Sequence, residues 1–299
     1  MKKTNLHLVI RVLLLALVAL GLSGCGTTEN VTAYYHFPAW LSDGRIIAVK
    51  EERKTIKTLG GLSNSTAVEQ TYKVVVMNGD GGNEHVVVDT RDFVYSSFNG
   101  SPSGNYVAMD AGSRVDIYNA SFQKVSTIVV GGEGTSIQSY DWSPDEENLV
   151  IQTQGGPVSI YSRLGEKIRD MSSIDYVYAW KYNELIFGDS GTYPNRVQKF
   201  VTIQDQVIRS TSEAGLANQY FVGGVSYFNK ISKISVTDFS IEQSYPTLNA
   251  VLSGGPYDGY YRLALNPINP ANSEEVLYAD GNGIYVVKLD GTGQRTVRE

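Results

Sequence analysis

A short motif that contains tryptophan recurs along the chain, and it limits the possible folds more than any other feature. Each copy joins β-branched and aromatic residues through turn formers such as Pro144, Asp145 and Gly44. The three tryptophans occupy the same place in it: Trp40, Trp142 and Trp180. The copies span residues 37–49, 98–109 and 140–151, with a shortened copy at 178–187 and an extended one at 263–279. Because proline presets φ and glycine tolerates positive φ, each copy predicts a β-hairpin.

A second type of segment alternates with the first and also predicts a hairpin. It places Val, Ile and Tyr runs around turn dipeptides such as Asp80-Gly81 and Asp290-Gly291. It occurs at residues 72–89, 114–130, 157–171, 196–210 and 283–297, and more weakly at 233–245. The second segment thus occurs six times, and the span of 264 residues from His36 to Glu299 divided by six gives 44 residues per unit. This is the size of a four-stranded propeller blade, about 40 to 45 residues. The sequence predicts an all-β chain that forms a single six-bladed β-propeller over residues 36–299.

These motifs resemble the TolB-like, or WD-like, β-propeller repeat. The resemblance rests on the Trp-Ser-Pro-Asp turn that begins at Trp142 and on the Ile-Tyr-Val segment that precedes Asp290-Gly291. It covers most of residues 36–299 and is weakest in the fifth unit. The resemblance implies a repeat fold that many cell-envelope proteins use for binding, and a shared fold does not assign a function.

The N-terminal segment predicts export and lipid attachment. Basic residues precede an apolar run of 11 residues, 12–22, which is too short to span a membrane. The run ends in Leu-Ser-Gly-Cys25, which resembles the lipobox of bacterial lipoproteins. The resemblance implies cleavage after residue 24 and a lipid on the Cys25 sulfur, with residues 25–35 as a tether. Gly26 replaces the Asp that signals inner-membrane retention, so we expect an outer-membrane protein that faces the periplasm or the cell surface.

Charge and composition exclude several classes of function. Loss of Lys2, Lys3 and Arg11 with the leader leaves 22 basic and 31 acidic residues, a net charge of −9. Binding of nucleic acid needs clustered Lys and Arg, so we expect that this protein does not bind nucleic acid. Cys25 is the single cysteine, so the remaining chain has no thiolate metal site or disulfide.

Nothing in the sequence combines into a catalytic site. His36 and His85 have no evident catalytic partner, and no Gly-x-Ser-x-Gly motif is present. The densest acidic cluster is Asp141, Asp145, Glu146 and Glu147. Paired carboxylates would serve acid–base chemistry or bind calcium, but turn chemistry and a solvated loop explain this cluster better. We therefore predict a protein that is not an enzyme and has no metal or cofactor, and the sequence assigns no small molecule.

The longer, irregular connections are expected on one end of the blades, opposite the short turns. They are residues 50–71, 188–195, 212–218 and 254–260. These connections carry the candidate binding-face residues Tyr193, Tyr257 and Tyr260. Loops on a rigid scaffold commonly carry recognition, so we expect an envelope protein partner there. The first connection also begins with four basic residues, Lys50, Arg53, Lys54 and Lys57. They would suit contact with an acidic partner or the membrane surface, or they would belong to a solvated hairpin.

Three functions are compatible with these features. The leading hypothesis is a lipid-anchored envelope propeller that binds another protein or acts as a scaffold, without catalysis. The alternative is an envelope carbohydrate-binding protein or carbohydrate-active enzyme that uses the central pocket. A third is a structural lipoprotein that stabilises an assembly.

Overall fold

The computed structural model contains strands and turns, with no helix, over the residues that it describes. These are residues 26–59, 64–89, 97–132, 134–180, 184–191, 195–211, 232–234, 241–244, 275–279, 283–288 and 290–298. The leader, Cys25 and most of residues 212–274 lie outside them. No helix of the described residues is long and apolar enough to cross a membrane. The predicted all-β class is confirmed for this part of the chain.

The described strands form six sheets, and neighbouring strands in each sheet are also consecutive in sequence. The first sheet contains β1 (Gly26–Trp40), β2 (Ile46–Leu59), β3 (Asn64–Met77) and β4 (His85–Asp89). The second contains β5 (Ser97–Gly100), β6 (Tyr106–Asp110), β7 (Arg114–Asn119) and β8 (Lys124–Val129). The third contains β9 (Ile137–Trp142), β10 (Asn148–Thr153), β11 (Val158–Ser162) and β12 (Lys167–Met171). The fourth contains β13 (Tyr176–Ala179), β14 (Ile186–Ser190), β15 (Val197–Val201) and β16 (Val207–Thr211).

The last two sheets have fewer described strands. The fifth has β17 (Ser232–Ile234) and β18 (Ile241–Ser244), and the sixth has β19 (Glu275–Ala279), β20 (Ile284–Lys288) and β21 (Arg295–Arg298). The described strand pairs of the second to sixth sheets are antiparallel. The predicted four-stranded units are therefore confirmed for four sheets. Their closure into a six-bladed ring stays a prediction.

The predicted hairpins appear where the repeated motif places them. Trp40 and Trp142 end β1 and β9, and Trp180 directly follows β13. The turn after each first strand needs a residue with positive φ, and Gly44 and Gly104 supply it with φ of 83° and 75°. Glu146 adopts a φ of 62° at the matching place in the third sheet. Asp145 accepts a hydrogen bond from the backbone nitrogen of Glu147 at 3.1 Å, as expected for a turn residue.

Successive sheets pack face to face, so the core lies between them. One apolar cluster combines Ala108 and Ile117 of the second sheet with Trp142 and Leu149 of the third. Another combines residues of the third sheet with Trp180 of the fourth. The fourth strands β8, β12 and β16 are mostly exposed. This gradient from buried inner strands to exposed outer strands is typical of blades in a propeller.

A buried carboxylate joins the first strands of three sheets. Asp141 of β9 accepts hydrogen bonds from Asn99 Nδ2 of β5 at 3.0 Å and from the Trp180 backbone nitrogen at 2.8 Å. It also accepts one from the Trp142 backbone nitrogen at 3.0 Å, while the Trp142 indole donates to the Asn99 carbonyl at 2.9 Å. Asp141 is therefore a structural residue of the core, which differs from the acidic cluster near the surface that the sequence suggested.

The last strand contacts the first sheet. Arg298 of β21 donates from Nε to Glu84 Oε2 at 3.0 Å, and Lys50 contacts the other Glu84 oxygen at 2.7 Å. A Cβ atom on Gly81 would lie 1.8 Å from the Val297 carbonyl oxygen, so only glycine fits there. Burial acts to raise the pKa of Glu84, but the hydrogen bonds from Lys50 and Tyr35 outweigh it and leave that pKa lowered.

The described residues divide into two compact units. One comprises the described parts of Met1–Ala33 and Glu51–Thr71, and the other those of Tyr34–Lys50 and Tyr72–Glu299. The predicted tether over residues 25–35 and the single six-bladed propeller over residues 36–299 stay predictions. Residues 26–35 belong to β1, because the long β2–β3 hairpin provides strand neighbours for them.

The predicted basic segment is an extended hairpin whose charges are mostly compensated. Arg53 pairs with Glu51. Lys54 contacts Glu29 at 3.0 Å. Lys50 is held by Glu84, as described above. Three of the four basic side chains therefore contact carboxylates, and the segment is not a continuous basic patch.

We expect Asp141→Ala to destabilise the protein by about 3 kcal/mol, because buried donors from two neighbouring sheets lose their acceptor. Asp141→Asn retains one acceptor oxygen, so its effect will be smaller. Urea unfolding followed by tryptophan fluorescence measures both. Exposed Glu166→Ala is the control, and an Asp141→Ala effect no larger than that of the control would contradict the structural role.

We expect Glu84→Gln to cost about 1 to 2 kcal/mol at pH 7. Because the folded pKa of Glu84 is lowered, its contribution is complete above its ordinary pKa of 4.5 and is lost as pH falls through the folded value. The difference in unfolding free energy between wild type and variant should therefore shrink in acid. If this difference stays constant from pH 7 to pH 3, the ionised carboxylate of Glu84 is not the source of the stabilisation.

Candidate binding site at the end of the fourth sheet

The residues predicted for the site lie outside the part of the chain that the structure describes. These are the lipid-attachment residue Cys25 and the candidate binding-face residues Tyr193, Tyr257 and Tyr260. The connections 212–218 and 254–260 lie outside it as well. Over the described residues, no group of three or more His, Cys, Asp or Glu side chains is placed to hold a metal ion.

The described flanks of the 188–195 connection contain a polar cluster. We call it the fourth-sheet cluster and define it by six residues: Asp175, Tyr176, Tyr178, Asp189, Arg196 and Gln198. All belong to or border strands β13, β14 and β15. The cluster lies at the end of the sheet where the sequence predicts recognition.

Asp189 is a buried acid of the fourth sheet. It is only 2% exposed, and its cross-strand partner is Gln198. Ile186 packs against the third sheet, so Asp189, three residues later, lies on the other face of the strand. The second and third sheets also bury a polar residue on the corresponding face, Asp110 and Gln152. A buried carboxyl group is costly without compensation, so the partners of Asp189 are informative.

Two side chains compensate Asp189 in part. Tyr178 donates its hydroxyl hydrogen to Asp189 Oδ2 at 2.6 Å. Arg196 Nη1 donates to the same oxygen at a longer distance of 3.3 Å, and the Arg196 side chain is 45% exposed. The rings of Tyr176 and Tyr178 lie 4.9 Å apart and are inclined by 55°. The buried acid therefore faces a half-buried aromatic pair and an exposed guanidinium.

The environment disfavours the charged form of this acid. Burial raises the pKa of Asp189, and the nearby Asp175 adds to the increase, while Tyr178 and Arg196 act in the opposite direction. Burial also raises the pKa of Tyr178. Asp175 accepts a hydrogen bond from the Gly191 backbone nitrogen at 2.8 Å, which fixes the start of the β14–β15 connection. Perturbed titratable groups beside an irregular loop are a physical indication of a functional site.

Sequence reasoning missed this cluster, although a signal was present. The shortened motif copy ends at Phe187, two residues before Asp189. Side chains alternate along a strand, so continuing the strand past Phe187 would have placed Asp189 on the same buried face. A carboxyl group on a buried strand face is the signal that identifies the site.

The opposite end of the sheets has short turns that bind one another. Ser42 donates its backbone N–H to the Gly104 carbonyl at 3.1 Å, and Ser103 donates its backbone N–H to Glu146 Oε1 at 2.5 Å. Glu147 pairs with Arg163 at 3.2 Å. Of the acidic residues that the sequence offered as possible catalytic or calcium ligands, Glu146 thus joins turns of adjacent sheets and Glu147 joins two turns of the third sheet.

Comparison with known proteins adds little to this geometry. No protein-family model matches the chain, and no curated protein matches it. Among solved structures, the chain is similar to a chain in "Crystal Structure of Mitotic Checkpoint Complex", with 12% identity and a TM-score of 0.43. The match covers 87% of this chain and 64% of that one, which is less than two thirds of its length. No assignment is based on this likeness.

We expect Asp189→Asn to stabilise the protein at neutral pH. Because the folded pKa of Asp189 is raised, its contribution to stability is complete below its ordinary pKa of 3.8 and is lost as pH rises through the folded value. The asparagine retains an acceptor for Tyr178 but carries no charge. Urea unfolding of both proteins from pH 4 to pH 8 should show an advantage for the variant that grows with pH. An advantage independent of pH would contradict this assignment.

Proposed function

We propose that this protein is a lipid-anchored β-propeller of the cell envelope that binds another protein and has no catalytic role. The propeller is proposed as six-bladed and is anchored at Cys25 in the outer membrane. One observation carries the protein-binding proposal. At one end of the sheets, hydrogen bonds connect the first strands and the short turns of neighbouring sheets, whereas the connections at the other end differ in length and chemistry. Such an arrangement presents variable loops on a rigid support, which is a common basis of recognition.

The support for a rigid frame comes from the described contacts. Asp141 ties Asn99 and Trp180 to its own strand, as described above. Arg298 and Arg295 of the last sheet contact Glu84 and the Gly79 carbonyl of the first. Contacts between the first and last sheets are what ring closure requires, so they favour the six-bladed arrangement.

The variable end of the sheets carries the recognition surface in this proposal. The connections between second and third strands are residues 111–113 in the second sheet, 154–157 in the third and 191–196 in the fourth. The first of these follows the buried acid Asp110, and the last adjoins the buried acid Asp189 together with an aromatic pair. Tyr193 belongs to this connection, so the proposed contact surface includes it.

The test is recovery of the lipidated protein from its own membranes after brief chemical crosslinking. We expect a stoichiometric protein partner that is lost in the double variant Tyr193→Ala, Tyr257→Ala. Tyr106→Ala is the matched control at the opposite end, where Arg163 lies 4.2 Å from its ring centroid, and it should retain the partner. Absence of any partner from repeated preparations would reject protein binding and favour the carbohydrate alternative, to be assayed with envelope glycans.

The anchor has a separate test. Cys25→Ser removes the sulfur that would carry the lipid, so we expect the variant to lose acyl label and leave the membrane fraction. Unchanged labelling and membrane recovery would show that the anchor lies elsewhere. This result does not depend on whether a protein partner is found.

A further inference from the structure

A buried polar oxygen of the fourth sheet has no hydrogen-bond donor. It is Oε1 of Gln198, whose neighbour on the fourth strand is Thr211. Buried polar side chains on the third strands of two other sheets do have partners: Thr127 donates to Asp116 at 2.9 Å, and Ser159 donates to Asp170 at 2.6 Å. The unpaired oxygen of Gln198 therefore needs an explanation.

This oxygen lies beside the buried carboxyl group. Gln198 is 3% exposed and is the cross-strand partner of Asp189, so both side chains project from the same face of the sheet. Directly opposed residues of an antiparallel pair have Cβ atoms about 4.5 to 5.5 Å apart. Two acceptor groups at this separation are close enough to share a single donor group.

Over the part of the chain that the structure describes, the cluster has few donors and a net negative charge. Both described donors to Asp189, Tyr178 and Arg196, use the same carboxylate oxygen, Oδ2. The charges of the cluster are the carboxylates of Asp175 and Asp189 and the guanidinium of Arg196. One added cation would balance them. A buried oxygen without a donor is unfavourable, and a ligand with several N–H groups would supply the missing donor.

We propose that the fourth-sheet cluster binds a lysine side chain of a protein partner, with the ammonium group shared between Asp189 and Gln198. This inference rests on the proposed protein-binding function. An ammonium group is compact and has three donors, so it reaches both oxygens where a planar guanidinium would need a wider opening. The lysine enters on the side of the exposed Arg196, and its methylene groups pack along Tyr176. The acidic net charge of the chain, −6 overall, favours approach of a basic partner segment.

The first experiment uses n-butylammonium chloride as a mimic of the lysine side chain. Thermal unfolding of the full lipidated protein in detergent is followed by tryptophan fluorescence across a concentration series. Sodium chloride at equal ionic strength and n-butanol serve as ligand controls. We expect a saturable rise in Tm of about 2 to 4 °C for the wild type with the ammonium probe only.

Four variants test the site directly. Asp189→Asn and Gln198→Met should each lose at least tenfold in affinity for the probe, whereas exposed Gln206→Met should bind as the wild type does. Asp189→Met removes the buried carboxyl group altogether, so it should abolish the response to the probe. A wild type without a saturable shift, or a Gln198→Met variant with an undiminished shift, overturns the proposal.

Crosslinking separates this inference from the proposed function. Loss of the partner in Asp189→Asn and Gln198→Met, with retention in Gln206→Met, supports the lysine site. A partner that persists in both site variants overturns the lysine site while protein binding stands. Binding of the free amine without any protein partner overturns the assignment to a lysine side chain and rejects the proposed function as well.

Discussion

The arrangement of the sheets depends on one buried carboxylate that is shared between them. Asp141 can accept hydrogen bonds on both oxygens and donates none when ionised, so one side chain satisfies donors from three directions. Its contacts place the start of the fourth sheet, because Trp180 follows β13 and its backbone nitrogen bonds to Asp141. Trp142 and Trp180 then fill the core on either side of the third sheet. A neutral apolar residue at position 141 would pack but would leave these donors unpaired.

The fourth sheet shows a loss of stability that packing alone does not explain. It buries the carboxyl group of Asp189, and burial raises the pKa of that group. It also leaves the buried oxygen of Gln198, directly opposite on the next strand, without a donor. Two unfavourable features at opposed positions indicate selection for something besides stability, because natural proteins commonly lose stability at functional sites.

The sequence was sufficient to predict the parts of the fold that depend on local chemistry. Turn residues and tryptophan spacing locate the hairpins, because proline, glycine and aspartate act on their immediate neighbours. The role of Asp141 was not predictable in this way, since its donors Asn99 and Trp180 come from other sheets. The start of β1 at Gly26 depends on the neighbouring hairpin, so no local signal separates it from a tether. Asp189 lies beyond the recognisable motif, and only the register between strands reveals its position.

The contact between the C-terminal strand and the first sheet also constrains how the chain acquires its structure. Arg295 lies 216 residues from Gly79, and Gly81 leaves room for the Val297 carbonyl only because it has no side chain. Contacts between residues so distant in sequence require closure of a long loop, which makes their formation slow. The first sheet is synthesised early, but its contacts with the last sheet form only after the C-terminal residues have been synthesised. If the chain is exported as its leader predicts, the first sheet crosses the membrane without that neighbour, and the completed structure forms only on the far side.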